Sequence, residues 1–410
     1  MPEFLTLTPP GPALQRLLDL LPVQVQAENI RLADSLHRVT AAPVVAPSGL
    51  PAFPRSTVDG YAVRAADTYG ASESLPAYLK LVGEVPMGAA PQASPGMGET
   101  VLIHTGGMLP EACDAVVMLE YTQPASGLVE VLRAVAEGEN VIKAGEDVAA
   151  GEEVLPAGRR IRPQEIGGLA ALGITSLLAA KKPRVGILSS GDEIVAPDRE
   201  PRLGQVRDAN SYSLAALVHD AGGEPVQYGV FPDELDPIFM AAKRALHECD
   251  VVVFTAGSSA SARDLTAQVI RALGEPGVLV HGVGVRPGKP TILALCQGKP
   301  VIGLPGNPVS ALIIARLFLR PVIERLLGMP EQHIQPAIQA RLAVNLASQA
   351  GREDWVPVRL LKDAQGYRAE PIFSKSNLIF SLVRADGLVC VPPDATGLSA
   401  NELVSVVLLQ

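Results

Sequence analysis

Acidic and hydroxyl side chains fall directly after apolar runs in one part of the chain. Ser189-Ser190-Gly191-Asp192-Glu193 follows Arg184–Leu188, and Asp233 follows Val226–Phe231 across Pro232. Val251–Phe254 leads into a stretch of small residues, with Gly257, Ser258, Ser259 and Ser261, that ends on Asp264. The fourth stretch is Gly303-Leu304-Pro305-Gly306-Asn307-Pro308-Val309-Ser310. Small side chains let a ligand approach the backbone and meet free N–H groups. Carboxylates gathered at strand ends repel one another unless a divalent cation lies between them, which makes Mg²⁺ the natural choice. A capped turn is the plain alternative at any one of these loops, with Asp264 then acting only as a helix-start charge.

Two cations stand on a second type of loop, Gly282-Val-Gly-Val-Arg286-Pro-Gly-Lys289-Pro290. It is not a phosphate-binding Walker loop, because the spacing before Gly288-Lys289 is wrong and Pro290 replaces the magnesium-binding hydroxyl. Nor is it a dinucleotide fingerprint, since a strand follows it rather than a helix. Arg286 and Lys289 on a stiffened loop suit an oxyanion or phosphate, and equally a solvated hairpin with two exposed cations. Nearer the amino terminus, Asp59-Gly60, His104-Thr105-Gly106-Gly107 and Gly145-Glu146-Asp147 each read as a turn with a polar residue. His104 has no evident nucleophile or metal partner, and Trp355 suits a core or an interface.

The elements that must position these residues follow from periodicity. Arg184–Leu188, Val226–Phe231, Val251–Phe254, Thr291–Leu295 and Val301–Leu304 read as strands. Helical patterns at Ser211–Ala221, Glu234–Cys249, Asp264–Leu273 and Val309–Leu327 alternate with them. That alternation predicts a doubly wound, mostly parallel α/β domain over 181–328, and such sheets bind ligands outside the carboxyl ends of their strands. Short strands between Gly and Pro clusters predict a β domain over 51–142. It is inserted into a helical and extended N-terminal domain, 1–50 and 143–180, where Ala13–Leu21, Ile30–Val39 and Pro163–Leu172 have helical spacing. A small C-terminal β domain is expected over 329–410. A chain of 410 residues is long enough for several such cores.

Composition bounds the function classes. Hydrophobic content of 48% with 19% charged residues indicates a globular, soluble protein, and a net charge of −9 argues against non-specific nucleic-acid binding. The four cysteines have no zinc or disulfide spacing, and Arg316, Arg320, Glu324 and Arg325 interrupt the most apolar helix, so no membrane span is expected. A reduced, cytoplasmic protein is the expectation.

Taken in order, Asp59-Gly-Tyr-Ala, Gly145-Glu-Asp147, Ser190-Gly-Asp-Glu193, Arg286-Pro-Gly-Lys-Pro290 and Leu304-Pro-Gly-Asn-Pro308 resemble the molybdopterin molybdenumtransferase family, which includes the gephyrin E domain. The resemblance extends through Gly351-Arg352 and Ser376 to Pro393. It implies four domains and an elongated homodimer that inserts molybdate into adenylylated molybdopterin with release of AMP. The site would lie in a cleft between the α/β domain of one protomer and the β domain of its mate, and other molybdenum cofactor biosynthesis proteins are implied partners. Carried over by motif, Asp59, Thr105 and Asp147 would be the N-terminal contributors. Glu193, Asp233 and Asp264 would surround Mg²⁺ and the reacting phosphate, with Asp264 and Glu193 as its ligands. Ser190, Gly191 and the Gly257–Ser261 loop would contact substrate, Arg286 and Lys289 would face the oxyanion, and Pro305, Gly306, Asn307, Pro308 and Ser310 would shape the pterin pocket. Arg352 and Ser376 would close the site from the C-terminal domain.

The chain also departs from the family pattern. Val58 stands for a methionine, Ser258 for a glycine, Arg286 for a lysine, and Gly107-Met108 for Ala-Pro. These changes touch the choice between molybdate and tungstate. A pterin- or oxyanion-binding scaffold without turnover is the competing class.

Overall fold

The structure is a computed structural model that describes residues 7–255, 260–330, 336–364 and 366–409; of 260–264 only the helical backbone is described. The chain divides into two compact units, one of Met1–Glu28, His37–Ala41 and Leu178–Gln410, the other of Asn29–Leu36 and Ala42–Leu177.

The first unit contains a six-stranded sheet in the spatial order Glu224–Phe231, Arg184–Ser190, Val251–Thr255, Lys299–Leu304, Ile292–Cys296, Pro276–His281. The first four strands are mutually parallel, and the last two are added antiparallel. Every residue of Val251–Thr255 is buried, as expected for a central strand covered on both faces. One face packs against Leu17 and Leu18 of the Pro10–Leu20 helix, and against Leu214, Val218 and Phe318. The other packs against Ile238, Leu246 and Ile270 of the Leu235–Glu248 and Ala260–Ala272 helices. A doubly wound, mostly parallel α/β domain is therefore present, and the loops after Ser190, Phe231 and Leu304 leave the parallel strands at their carboxyl ends.

The carboxyl-terminal part is a second β structure in the same unit. The strands Glu353–Asp363, Gly366–Pro371, Ala337–Leu342, Leu403–Leu408 and Gly387–Val391 pair in succession, and the last pairs back onto the first. That closure removes free edges and encloses Leu342, Val358, Val389, Val391 and Val406. Val285–Arg286, from the cation loop, joins Glu353–Asp363 in parallel. The α/β part and the closed β part are thus connected by backbone pairing at the loop that carries Arg286.

The second unit holds a six-stranded sheet ordered Ala115–Met118, Gly60–Val63, Glu99–Ile103, Ala77–Glu84, Leu128–Val131, Thr122–Ala125. Tyr61 and Val63 enter one core with Val117 and Val129, while Ala62 faces the opposite one with Val101 and Ile103. A Cβ on Gly60 would lie 2.0 Å from the Val117 carbonyl oxygen, so only glycine lets these strands approach. Gly60→Ala is therefore expected to destabilise this unit by roughly 2–4 kcal/mol, because backbone must move to relieve the clash. A melting curve unchanged from the parent would refute that account.

Two expectations on elements fail. Ile30–Val39 is not a helix: a strand, Ala27–Arg31, is followed by a single 3₁₀ turn at Leu32–Asp34. His37 has φ 62°, a left-handed conformation that ends any helix, and Leu36 is exposed although the pattern would bury it. Val309–Leu327 is helical but not uniformly α. Ala315–Leu319 forms a wide π turn between Pro308–Ile314 and Arg320–Leu326. Pro321 has no N–H and its ring would collide with the Leu317 carbonyl in a regular helix, and the wider turn absorbs that conflict.

Candidate functional site

At the strand ends, the Ser189 hydroxyl hydrogen-bonds that of Thr255 at 2.9 Å, tying two neighbouring parallel strands together where they stop. Gly191 then turns the chain, its N–H donating to the Phe231 carbonyl at 3.1 Å. Asp233 lies across from it, with its own N–H donating to Asp192 Oδ1 at 3.2 Å. Burial, followed by the negative charges of Asp192 and Glu193, pushes the Asp233 carboxyl above its ordinary range, while a bond from Ser190 opposes the shift. Asp233 Oδ1 is buried and has no hydrogen-bond partner among the described residues. The structure thus brings Ser190, Gly191, Glu193 and Asp233 together with Asp192, a carboxylate of the same loop to which the motifs assigned no role. Gly257, Ser258 and Ser259 lie outside the described residues, as do the side chains of Ser261 and Asp264.

Hard oxygen donors with one orphaned buried carboxylate oxygen match the preference of Mg²⁺. Among the described residues, however, no three His, Cys, Asp or Glu side chains form a coordinating group. A cation here would complete its shell with water, as Mg²⁺ commonly does, or with ligands outside the described residues.

The Asn210 side-chain amide reaches from the start of the Asn210–Ala221 helix and donates to the Gly306 carbonyl at 2.8 Å. This fixes the Pro305–Pro308 turn, from which Pro308 opens the next helix at its first position, where a missing N–H costs nothing. Asn307 Nδ2 donates to the Ser376 hydroxyl at 3.0 Å, and the Val309 N–H donates to the Ser376 carbonyl at 3.1 Å. Ser376 is therefore brought directly to the Pro305–Ser310 loop, some seventy residues away in sequence.

A cleft of about 720 Å³ opens beside this contact. Its lining includes Arg286, Lys289, Pro305, Gly306, Asn307 and Ser310, together with Trp355, Phe373, Lys375 and Ser376. Lys289 and Lys375 are exposed and have no ion-pair partner among the described residues. Arg286 pairs with Asp354 at 3.3 Å, yet its side chain remains 61% exposed. Arg352 does not line the cleft; its Nε donates to the other Asp354 oxygen at 2.8 Å. Three cations lie among proline and aromatic residues in its lining, so the cleft can accept an anionic, partly aromatic ligand. Lys375 and Asp354 escaped the sequence reading. Arg352 stands just before the Glu353–Asp363 strand and two residues from Asp354, a spacing that was available as a signal.

In the second unit, the Thr105 N–H and hydroxyl both donate to Asp59 Oδ1, at 2.7 and 3.1 Å. These bonds, aided by the nearby His104, hold the Asp59 carboxyl below its usual range. His104 is not without company: its Nε2 lies 2.8 Å from Glu84 Oε1. Asp147 sits in a turn in which Gly145 has φ 70° and the Asp147 N–H donates to the Leu50 carbonyl at 3.0 Å.

Comparison with known proteins places these features in a family. A profile described as "MoeA N-terminal region (domain I and II)" matches residues 9–173, "Probable molybdopterin binding domain" matches 186–325, and "MoeA C-terminal region (domain IV)" matches 339–409. A molybdopterin molybdenumtransferase of Bacillus subtilis is 31% identical, covering 94% of this chain and 91% of its own. One from Nostoc is 32% identical over 96% and 91%. Among solved structures, a molybdopterin biosynthesis protein from Pyrococcus horikoshii superimposes with a TM-score of 0.82 at 36% identity, covering 99% of this chain and 100% of that one.

Proposed function

This chain belongs to the molybdopterin molybdenumtransferase family, and on that premise we propose that it transfers molybdenum from molybdate to adenylylated molybdopterin and releases AMP. The observation that carries this reading is the cleft that Arg286, Lys289 and Lys375 line together with residues of the Pro305–Ser310 loop. Molybdate and the adenylyl phosphate are both anions, and each needs cations and N–H donors held in place beforehand. Lys289 supplies a compact positive charge and Arg286 a planar fork, so the two can bind different faces of an anionic group.

The strand-end carboxylates have a separate task. Cleaving the phosphoanhydride breaks the bond between the bridging oxygen and the molybdopterin phosphorus; a water oxygen would form the new P–O bond there, and AMP leaves with the bridging oxygen. Glu193 and Asp233 would hold Mg²⁺ with Asp264, and Asp192 accepts a hydrogen bond from the Asp233 N–H. Bound there, the cation would screen phosphate charge and activate water. Ser190 and Asn307 are hydrogen-bonding groups for orienting the substrate. Asp59, Thr105 and Asp147, a homodimeric assembly and a cytoplasmic location complete the proposal. Among the described residues no helix is long and apolar enough to cross a membrane.

The test is release of AMP from adenylylated molybdopterin with molybdate and Mg²⁺. Lys289→Ala is expected to lower kcat/KM roughly 10- to 100-fold, from the ~1.5–3 kcal/mol of a hydrogen bond to a charged group. Metal-dependent AMP release absent from the parent protein would sink the transferase reading.

A further inference from the structure

We propose that Asp354 is a positioning residue, which aligns Arg286 for anion capture by binding Arg286 and Arg352 at once. The inference rests on the cleft being the anion site described above. Asp354 is only 3% exposed, and it stands beside Arg286 in the parallel pairing of Val285–Arg286 with the Glu353–Asp363 strand. Each carboxylate oxygen serves a different guanidinium: Oδ2 accepts from Arg286 Nη1 at 3.3 Å and Oδ1 from Arg352 Nε at 2.8 Å.

The two arginines are not equivalent. The Arg352 side chain is 27% exposed and makes the shorter bond, whereas Arg286 is 61% exposed and lines the cleft. Arg352 is therefore the anchor, and Arg286 is the presented group. A guanidinium carries five N–H donors in a rigid fork, so one bond to Asp354 fixes its plane and leaves the remaining donors for a ligand. Without the carboxylate, two like charges would face each other and the more exposed one would swing into solvent. Removing either guanidinium would leave one oxygen of this buried carboxylate without its hydrogen bond, so both partners hold it in place. The chain's one tryptophan, Trp355, follows Asp354 directly and lines the same cleft.

Trp355 allows a test that needs no turnover. Its fluorescence is titrated with inorganic molybdate and, separately, with AMP, in the full chain and in a double-mutant cycle. Asp354→Asn is expected to weaken binding of at least one anion about 10-fold, but less than ~2-fold when Arg286 is already alanine. Asp354→Glu, which keeps the charge, should recover most of the loss. An equal loss with and without Arg286 overturns the proposal, because Asp354 would then act through the fold alone. A parent protein that binds neither anion overturns it as well. Anion binding with the predicted coupling but no AMP release would leave the proposal standing and remove only the transferase reading. Should Asp354→Asn fail to fold, Arg352→Gln removes the anchor instead, and the same coupling to Arg286 decides the matter.

Discussion

Asp233→Asn is expected to lower AMP release roughly 10²–10³-fold, the effect of removing one preorganised charged group from a catalytic centre, while leaving the melting temperature unchanged or raised above neutral pH. The opposed signs follow from its surroundings. Burial and the charges of Asp192 and Glu193 disfavour the ionised carboxylate in the folded protein, and one oxygen has no partner among the described residues. A carboxyl whose folded pKa exceeds its unfolded value contributes a destabilisation that is absent below the unfolded pKa. That destabilisation develops as pH rises through the folded pKa. Asparagine removes it, so the variant's stability should depend less on pH over that window. Added Mg²⁺ should stabilise the parent by mass action and the variant much less. A full rate in Asp233→Asn, measured as AMP released per enzyme, would remove this carboxylate from the site.

Gly288→Ala is expected to lower the melting temperature by about 5–15 °C, using the usual proportion between ΔΔG and Tm for a unit of this size. Gly288 has φ 131°, a backbone conformation that L side chains rarely adopt, and a Cβ there would lie 2.3 Å from Ile314 Cδ1 and 2.4 Å from Cγ1. Ile314 cannot retreat, being fully buried in the cluster that contains Val285, Leu304 and Phe318. Overpacking of this kind costs ~1–3 kcal/mol and the backbone conformation a similar amount. The same substitution should weaken anion binding, since Arg286 and Lys289 flank the glycine. An unshifted thermal transition would show that the loop can relocate freely.

How much of this could be read beforehand depended on distance along the chain. Val251–Thr255 and Val301–Leu304 announced themselves, because runs of β-branched residues with no polar alternation belong to strands covered on both faces. The strand-end loops were legible for the same reason, each being a sharp change of composition after such a run. Pro276–His281 was not, since Pro276 and Gly277 disguise its start. The helical spacing in Ile30–Val39 was coincidental: Leu32 packs with Leu155 and Leu169, whereas Val39 packs with Leu17 and Ala180. Side-chain partnerships were the least visible. The link from Thr105 to Asp59 spans 46 residues and that from Arg286 to Asp354 spans 68, and neither is encoded in any local pattern. The ordered motifs identified Arg286 and Ser376, but only the pairing of Val285–Arg286 with Glu353–Asp363 exposed Asp354 as their neighbour in the cleft.

The route of the chain through the first unit also constrains its synthesis. Leu17 and Leu18 form one core with Phe318 and Leu319, made about 300 residues later, whereas the unit spanning Asn29–Leu36 and Ala42–Leu177 has its cores within its own residues. At ~5–20 residues per second, roughly 15–60 s separate the emergence of the Pro10–Leu20 helix from that of its partners. During that interval its core is incomplete, with Val39 and Ala180 made early and Phe318 and Leu319 made last. The central part of the protein can fold on the ribosome, but the core of the leading helix is completed only when nearly the whole chain has been made, and it is a segment for which a holding chaperone would matter.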